Sequence, residues 1–111
     1  MRKAILTETA KKDIRKALKE SGSKHGLKAK SRYTLLIKRA IQALEKDASA
    51  IGVREWDDSR LIYHLRFSKS EAAIDGVTVK SPSHCLFFKV NGQEIEILRL
   101  LHERSDFERH L

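Results

Sequence analysis

The sequence predicts an α+β fold in the order β-α-α-β-β-β, with a helical hairpin packed on one face of a small antiparallel sheet. Three patterns within the 111 residues lead to it. Two N-terminal segments carry apolar residues at helical spacing and are joined by a glycine-bearing turn. Later segments alternate apolar and polar residues with the period of a strand. Between the last two of these stands Asn91-Gly92, the favoured pair for a two-residue hairpin turn.

Taken in order, Lys3–Thr7 reads as a short first strand. Thr7 is suited to cap a helix, and Glu8 follows at the helix's positive end. Ala10, Ile14, Ala17 and Leu18 then share one helical face, and Gly22 and Gly26 in SGSKHG are expected to stop that helix and turn the chain. Tyr33, Leu36, Ile37, Ala40, Ile41 and Leu44 form the clearest helical stripe, with Lys30, Arg32, Lys38, Arg39 and Lys46 largely off it. Leu61, Tyr63, Leu65 and Phe67 alternate with Ile62, His64 and Arg66, which reads as one strand. Leu86, Phe88 and Val90 alternate with Cys85, Phe87 and Lys89, which reads as the next. The closing strand, Glu94–Leu101, is unusually apolar and ends in a charged cluster, as expected of a buried strand that delivers polar groups to one end of a sheet. Residues 68–82 form a polar connection with local structure expected around Val77–Val79.

A chain of this length makes one domain, residues 1–111, around one modest core. No apolar run is long enough for a membrane span, and the N-terminal run is too short for a secretory signal, so a cytoplasmic protein with no membrane partner is expected. The single Cys85 sits in an apolar context, which excludes a disulfide framework and a thiolate metal site and marks it as a core residue. The net charge of +8 is unevenly placed: through residue 46 there are 14 Lys/Arg against 4 Asp/Glu, and from residue 47 on there are 9 against 11. Such asymmetry suits an acidic partner, either nucleic acid or protein, and is equally met by well-solvated helices.

The candidate chemistry lies near the C-terminus. Arg66, Arg99, His102, Arg104, Arg109 and His110 combine phosphate-binding cations with imidazoles, the groups a metal-free ribonuclease needs. Strand alternation is expected to bring Arg66 and Arg99 to the exposed side of the sheet. The competing reading is internal pairing, Arg99 with Glu96 or Asp106 and Arg109 with Glu103 or Glu108. His84, after Pro82, suits an acid/base or partner contact, or a hydrogen-bonded strand entry; His64 carries the same two readings. Trp56 in VREWDD is either a partner anchor or a cap on the core. His25 is expected in solvent. No Gly-rich phosphate loop, HExxH, CxxC or GxSxG occurs, and the only adjacent acidic pair, Asp57-Asp58, lies in a loop.

Three segments resemble the ParE branch of the RelE/ParE toxin superfamily. The closing EIEILRLLHERSDFERHL is similar at Ile97, Leu98, Arg99, Leu101, His102, Asp106, Arg109, His110 and Leu111. YHLRFSK (Tyr63–Lys69) and SPSHCLFFKVNG (Ser81–Gly92) are similar to the strand after the helices and to the hairpin, and Ala10 and Asp13 fit the start of the first helix. The resemblance implies a type II toxin that inhibits DNA gyrase without catalysis, cofactor or metal. It also implies a cognate antitoxin with a ribbon-helix-helix DNA-binding head, through which the toxin meets DNA. Trp56, Tyr63, Arg66 and Arg99 are then the expected antitoxin contacts, and the C-terminal cluster, with His102, Arg104, Arg109 and His110, the specific target contact. Lys11, Lys12, Arg15, Lys28, Lys38 and Arg39 would draw the protein toward DNA-bound gyrase. Two alternatives stand beside it. One is a RelE-like, ribosome-dependent mRNA endoribonuclease using Arg66, Arg99, His102 and His110. The other is a non-toxic module that only binds antitoxin and DNA. The ending Arg109-His110-Leu111 and the lack of a RelE-like terminal Tyr favour the ParE branch.

Overall fold

A computed structural model describes residues 1–111. Strand β1 (Lys3–Leu6) leads into a hairpin of two long helices, α1 (Glu8–His25) and α2 (Leu27–Lys46). The chain continues through β2 (Arg54–Glu55), β3 (Leu61–His64), a 3-10 turn at Leu65–Ser68 and α3 (Lys69–Ile74). It ends in the hairpin β4 (His84–Asn91) and β5 (Glu94–His102), then α4 (Phe107–His110). The five strands lie in the order β1-β5-β4-β3-β2. None of the helices is long and apolar enough to cross a membrane.

Thr7 caps α1 as its sequence position requires: its hydroxyl accepts from the Ala10 N–H at 3.0 Å. Gly22 does not stop the helix. α1 runs on to His25, and the reversal falls at Gly26, whose φ of 91° is open to glycine but strained for other residues. The stripe of α2 buries Tyr33, Leu36, Ile37, Ala40 and Leu44 against Leu86, Phe88, Ile95, Ile97 and Leu100 of the sheet.

The sheet is mixed, not antiparallel throughout. β1 pairs with β5 in parallel, Lys3 opposite Glu94 through Leu6 opposite Ile97. β4 holds one edge of β5, and on the other edge the start of α1 bonds Ile97, Leu98 and Leu100, so β1 before it runs toward the C-terminal end of β5. Glu45, near the end of α2, closes β1 from outside: its carbonyl accepts from Arg2 N–H and its carboxylate from Ala4 N–H, at 3.0 and 2.9 Å.

The strand expected through Phe67 ends at His64. There the imidazole Nδ1 accepts from the Arg66 N–H at 3.0 Å and starts the 3-10 turn. The connection 68–82 contains α3, which the sequence pattern did not announce. Val77 and Val79 pack partly buried on the core without forming regular structure. Lys69 Nζ donates to the Lys80 carbonyl at 2.8 Å, and Arg39 pairs with Asp75, so the connection is pinned at both ends.

A β-bulge explains the apolar doublets of the closing strand. Phe87 opposes Arg99 while Phe88 opposes Ile97, leaving Leu98 as the extra residue. Ile95, Ile97 and Leu100 therefore face the helices, whereas Leu98 and Leu101 join Cys85, Phe87, Trp56, Ile62, Phe107 and Leu111 on the far face. That face is thus covered at its centre by the C-terminal segment.

Gly52 is the tightest glycine. Its φ is 100°, and a Cβ there would overlap the Phe67 ring. Gly52→Ala is expected to destabilise the protein by roughly 1–3 kcal/mol, through overlap and left-handed strain together, read as a lower urea midpoint at unchanged slope.

Candidate functional site

β5 has nine residues and β1 four, so the upper edge of β5 outlasts its strand partner. The start of α1 supplies the missing hydrogen bonds. Thr7 N–H donates to the Ile97 carbonyl and the Thr7 hydroxyl to the Leu98 carbonyl, both at 3.1 Å. Asp13 Oδ2 then accepts from Leu100 N–H at 3.1 Å. The Arg99 guanidinium meets the same carboxylate through two bonds, Nε to Oδ2 at 2.7 Å and Nη2 to Oδ1 at 3.0 Å. Its third contact is the His110 carbonyl at 2.8 Å. With 20% and 13% of the Arg99 and Asp13 side chains exposed, this is a largely desolvated, bidentate pair. The hydrogen bond to Asp13 raises the guanidinium pKa further. The expected partners Glu96 and Asp106 are not used, and Arg99 is a buttress of the fold instead of an open contact.

The opposite flank holds the histidines. His84 and His102 face each other across β4 and β5, their rings edge-on at 5.3 Å. Tyr33, the first residue of the α2 stripe, places its hydroxyl 2.6 Å from His84 Nδ1, and Ser83 N–H donates to that hydroxyl at 3.1 Å. Burial, and next the charge of His102, push the His84 pKa down to about 4. Burial also raises the Tyr33 pKa, keeping that hydroxyl protonated.

This trio forms part of the wall of a cleft of about 730 Å³ between the tip of the helical hairpin, the end of the 68–82 connection and the sheet. Lys24, Arg32 and Lys80 also line it. Neither Tyr33, which reads as a core residue, nor these three cations stood out in the sequence as site residues. One signal was present: a tyrosine on an apolar helical stripe must find a partner for its hydroxyl.

The remaining candidates are dispersed. Tyr63, expected as a partner contact, is only 2% exposed and bonds Ser68 Oγ at 2.8 Å inside the core. Trp56 is half-buried, edge-on to Phe87 at 5.7 Å and Phe107 at 5.5 Å, so it covers the core. Arg66 is exposed on the 3-10 turn, its guanidinium 4.6 Å from the Phe67 ring centre. His102, Arg104, Arg109 and His110 are exposed, and Arg109 forms no ion pair with Glu103 or Glu108. His64 Nε2 lies 3.4 Å from Glu103, and His25 is exposed. The groups of the ribonuclease alternative therefore occupy three settings: Arg66 beside Phe67, His102 against His84, and Arg99 with Asp13 and the His110 carbonyl. Asp57 serves its own turn, accepting from Ser59 and Arg60 N–H, and the Arg60 side chain holds its pKa down to about 2. Burial raises the Cys85 thiol to about 11, which leaves it a poor nucleophile. No group of three or more His, Cys, Asp or Glu side chains is placed to hold a metal ion.

A family model described as the ParE toxin of type II toxin-antitoxin system, parDE, matches residues 4–107. The fold is similar to a solved structure of the chromosomal ParDE TA system from P. aeruginosa, with a TM-score of 0.68 at 17% identity, covering 92% of this chain and 96% of that one. No curated protein matches the sequence.

Two outcomes are expected from this geometry. In a double-mutant cycle on urea stability, Asp13→Ala and Arg99→Ala should couple by about 1–3 kcal/mol, since each single change strands the other's charge. His84 supplies a pH dependence. Its folded pKa of about 4 lies below the 6.5 of a free imidazole, so between these values the unfolded chain binds the extra proton. Stability is then full above pH 6.5 and falls as pH drops toward 4, by on the order of 1–3 kcal/mol for this half-buried ring. Urea melts at pH 7 and 4.5 should show that loss, and His84→Phe should lack it.

Proposed function

Because the chain belongs to the ParE toxin family of type II toxin–antitoxin systems, we propose that it is the toxin held by a cognate antitoxin, that it acts in the cytoplasm, and that its target is DNA gyrase. It acts by binding, not by catalysis. The observation that carries the non-catalytic mode is the dispersal of the groups a ribonuclease would use. Arg99 is committed to Asp13 and to the His110 carbonyl, while Arg66 lies beside Phe67 and His102 against His84. Arg66, His102, Arg104, Arg109 and His110 meanwhile stay exposed and available to a macromolecular surface. The excess of basic residues on the two helices favours approach to a DNA-bound target.

The antitoxin is proposed to bring an acidic, amphipathic segment behind a ribbon-helix-helix head, and through that head the pair meets DNA. A shallow apolar groove between α1 and α2, lined by Ile14, Leu18, Ile37 and Ile41 with Lys38 at its side, offers that segment a seat.

Purified protein should inhibit supercoiling of relaxed plasmid by gyrase or accumulate cleaved plasmid, while reporter mRNA on translating ribosomes stays intact. Arg104→Glu with Arg109→Glu, both in solvent, should weaken the gyrase effect about tenfold without changing the melting temperature. Cut mRNA with unaffected supercoiling overturns the proposal in favour of the endoribonuclease. No effect on either machine, with antitoxin binding retained, leaves the non-toxic module.

A further inference from the structure

The cleft beside the histidine pair has a basic lining that the proposed toxin activity does not use. Its basic groups come from three separate elements: Lys24 from the end of α1, Arg32 from α2, and Lys80 from the connection before β4. None of the three forms an ion pair. One carboxylate, Glu20, lines the wall, leaving a net positive lining. Three unpartnered cations facing a common cavity repel one another, and an anion placed between them relieves that repulsion.

The rest of the wall says which anion. The Ser83 N–H, Tyr33 hydroxyl and His84 Nδ1 are mutually satisfied, which leaves Nε2 as the free nitrogen of the His84 ring. Thr78, Ser81 and Ser83 add hydroxyls. Tyr33, His84 and His102 stand in successive edge-on contacts at 5.4 and 5.3 Å, an aromatic wall of the kind on which a base stacks. A volume of about 730 Å³ falls within the usual range for small-molecule sites. We propose that this cleft binds the phosphate-bearing end of a nucleotide, with the phosphate held by Lys24, Arg32 and Lys80 and the base against the imidazole wall. An acidic peptide would satisfy the cations but leave the ring wall unused. The proposal is independent of which machine the toxin attacks.

The test is a titration of the 15N-labelled full chain with adenosine 5′-monophosphate, inorganic phosphate, adenosine, a 5′-phosphorylated tetranucleotide and a glutamate-rich hexapeptide, followed by amide shifts. The monophosphate should saturate and move the amides of Ala29, Arg32, Ser83, His84 and His102. Adenosine alone should need about tenfold more or fail, and inorganic phosphate should move the same amides more weakly. Tighter binding of the tetranucleotide than of the monophosphate would mark a strand end as the source, and the reverse order a free nucleotide. Arg32→Glu and Lys80→Glu, both at exposed positions, should each weaken binding about tenfold or more, whereas Lys11→Glu at the far end of α1 should not. Shifts that spread over both helices without saturating overturn the proposal. So does a hexapeptide that binds the cleft as tightly as the nucleotide, or Arg32→Glu binding like the unaltered chain.

Discussion

The molecule depends on how one strand edge is closed. β5 must be long enough to pair with all of β4, but β1 covers only its first part. An uncovered edge in the middle of a small protein would leave backbone groups unsatisfied or open to another chain. The first two turns of α1 close it. The Thr7 hydroxyl accepts from Ala10 N–H to cap the helix and donates to the Leu98 carbonyl, so one side chain both starts the helix and fixes its place on the sheet. Asp13 takes Leu100 N–H and the Arg99 guanidinium together. Arg99 then reaches the His110 carbonyl, and Arg60 reaches that of Leu111 at 2.9 Å, so the C-terminal segment is fastened to the same network. With that segment in place, Phe107 seats against Phe87 at 4.9 Å and the far face of the sheet is sealed.

This arrangement accounts for what could be read along the chain and what could not. The stripe of α2 and the cap at Thr7 are local signals, and each lies where its periodicity or capping chemistry puts it; the β4–β5 turn falls one residue later than expected, on Gly92-Gln93, because Asn91 pairs with Glu94 and only Gly92 takes a positive φ. The parallel pairing of β1 is non-local: nothing in Lys3–Leu6 distinguishes a parallel from an antiparallel partner, and the direction is fixed where the start of α1 bonds the later part of β5. Leu65 and Phe67 keep a strand's alternation of apolar residues, so hydropathy alone carries β3 past its end at His64. The competing interaction, the His64 side chain accepting from Arg66 N–H, is invisible to a hydropathy pattern. The bulge left a trace in the apolar doublets Ile97-Leu98 and Leu100-Leu101, which strict alternation forbids in a strand with one solvated face.

The site shows the same division. A cluster rich in arginine and histidine was evident near the C-terminus, yet its members do different work. Arg99 answers a carboxylate 86 residues earlier, a partner that no neighbourhood search around residue 99 would find. Tyr33 reads as core, and it is core by burial, while its hydroxyl bonds His84 Nδ1 in the wall of the cleft. Arg104 and Arg109 are exposed cations whose side chains make no hydrogen bond or ion pair, and Arg66 is exposed with its guanidinium over the Phe67 ring.

That distinction governs how substitutions near the C-terminus are to be read. Replacing Arg99 strips the bidentate partner from Asp13 and loosens the hold on the His110 carbonyl, so a loss of toxicity there reports the integrity of the α1–β5 seam before it reports any contact. Replacing Arg104 or Arg109 touches no side-chain hydrogen bond of the protein and changes only the charge offered outward. A partner surface on this end is therefore mapped by the exposed pair, with Arg99 serving as the measure of what misfolding alone does. The same reasoning separates the two faces of the histidine cleft. His84 is tied into the fold through Tyr33 and Ser83, whereas Arg32 and Lys80 are free of internal partners, so only the latter two report on a ligand without also reporting on the wall that holds it.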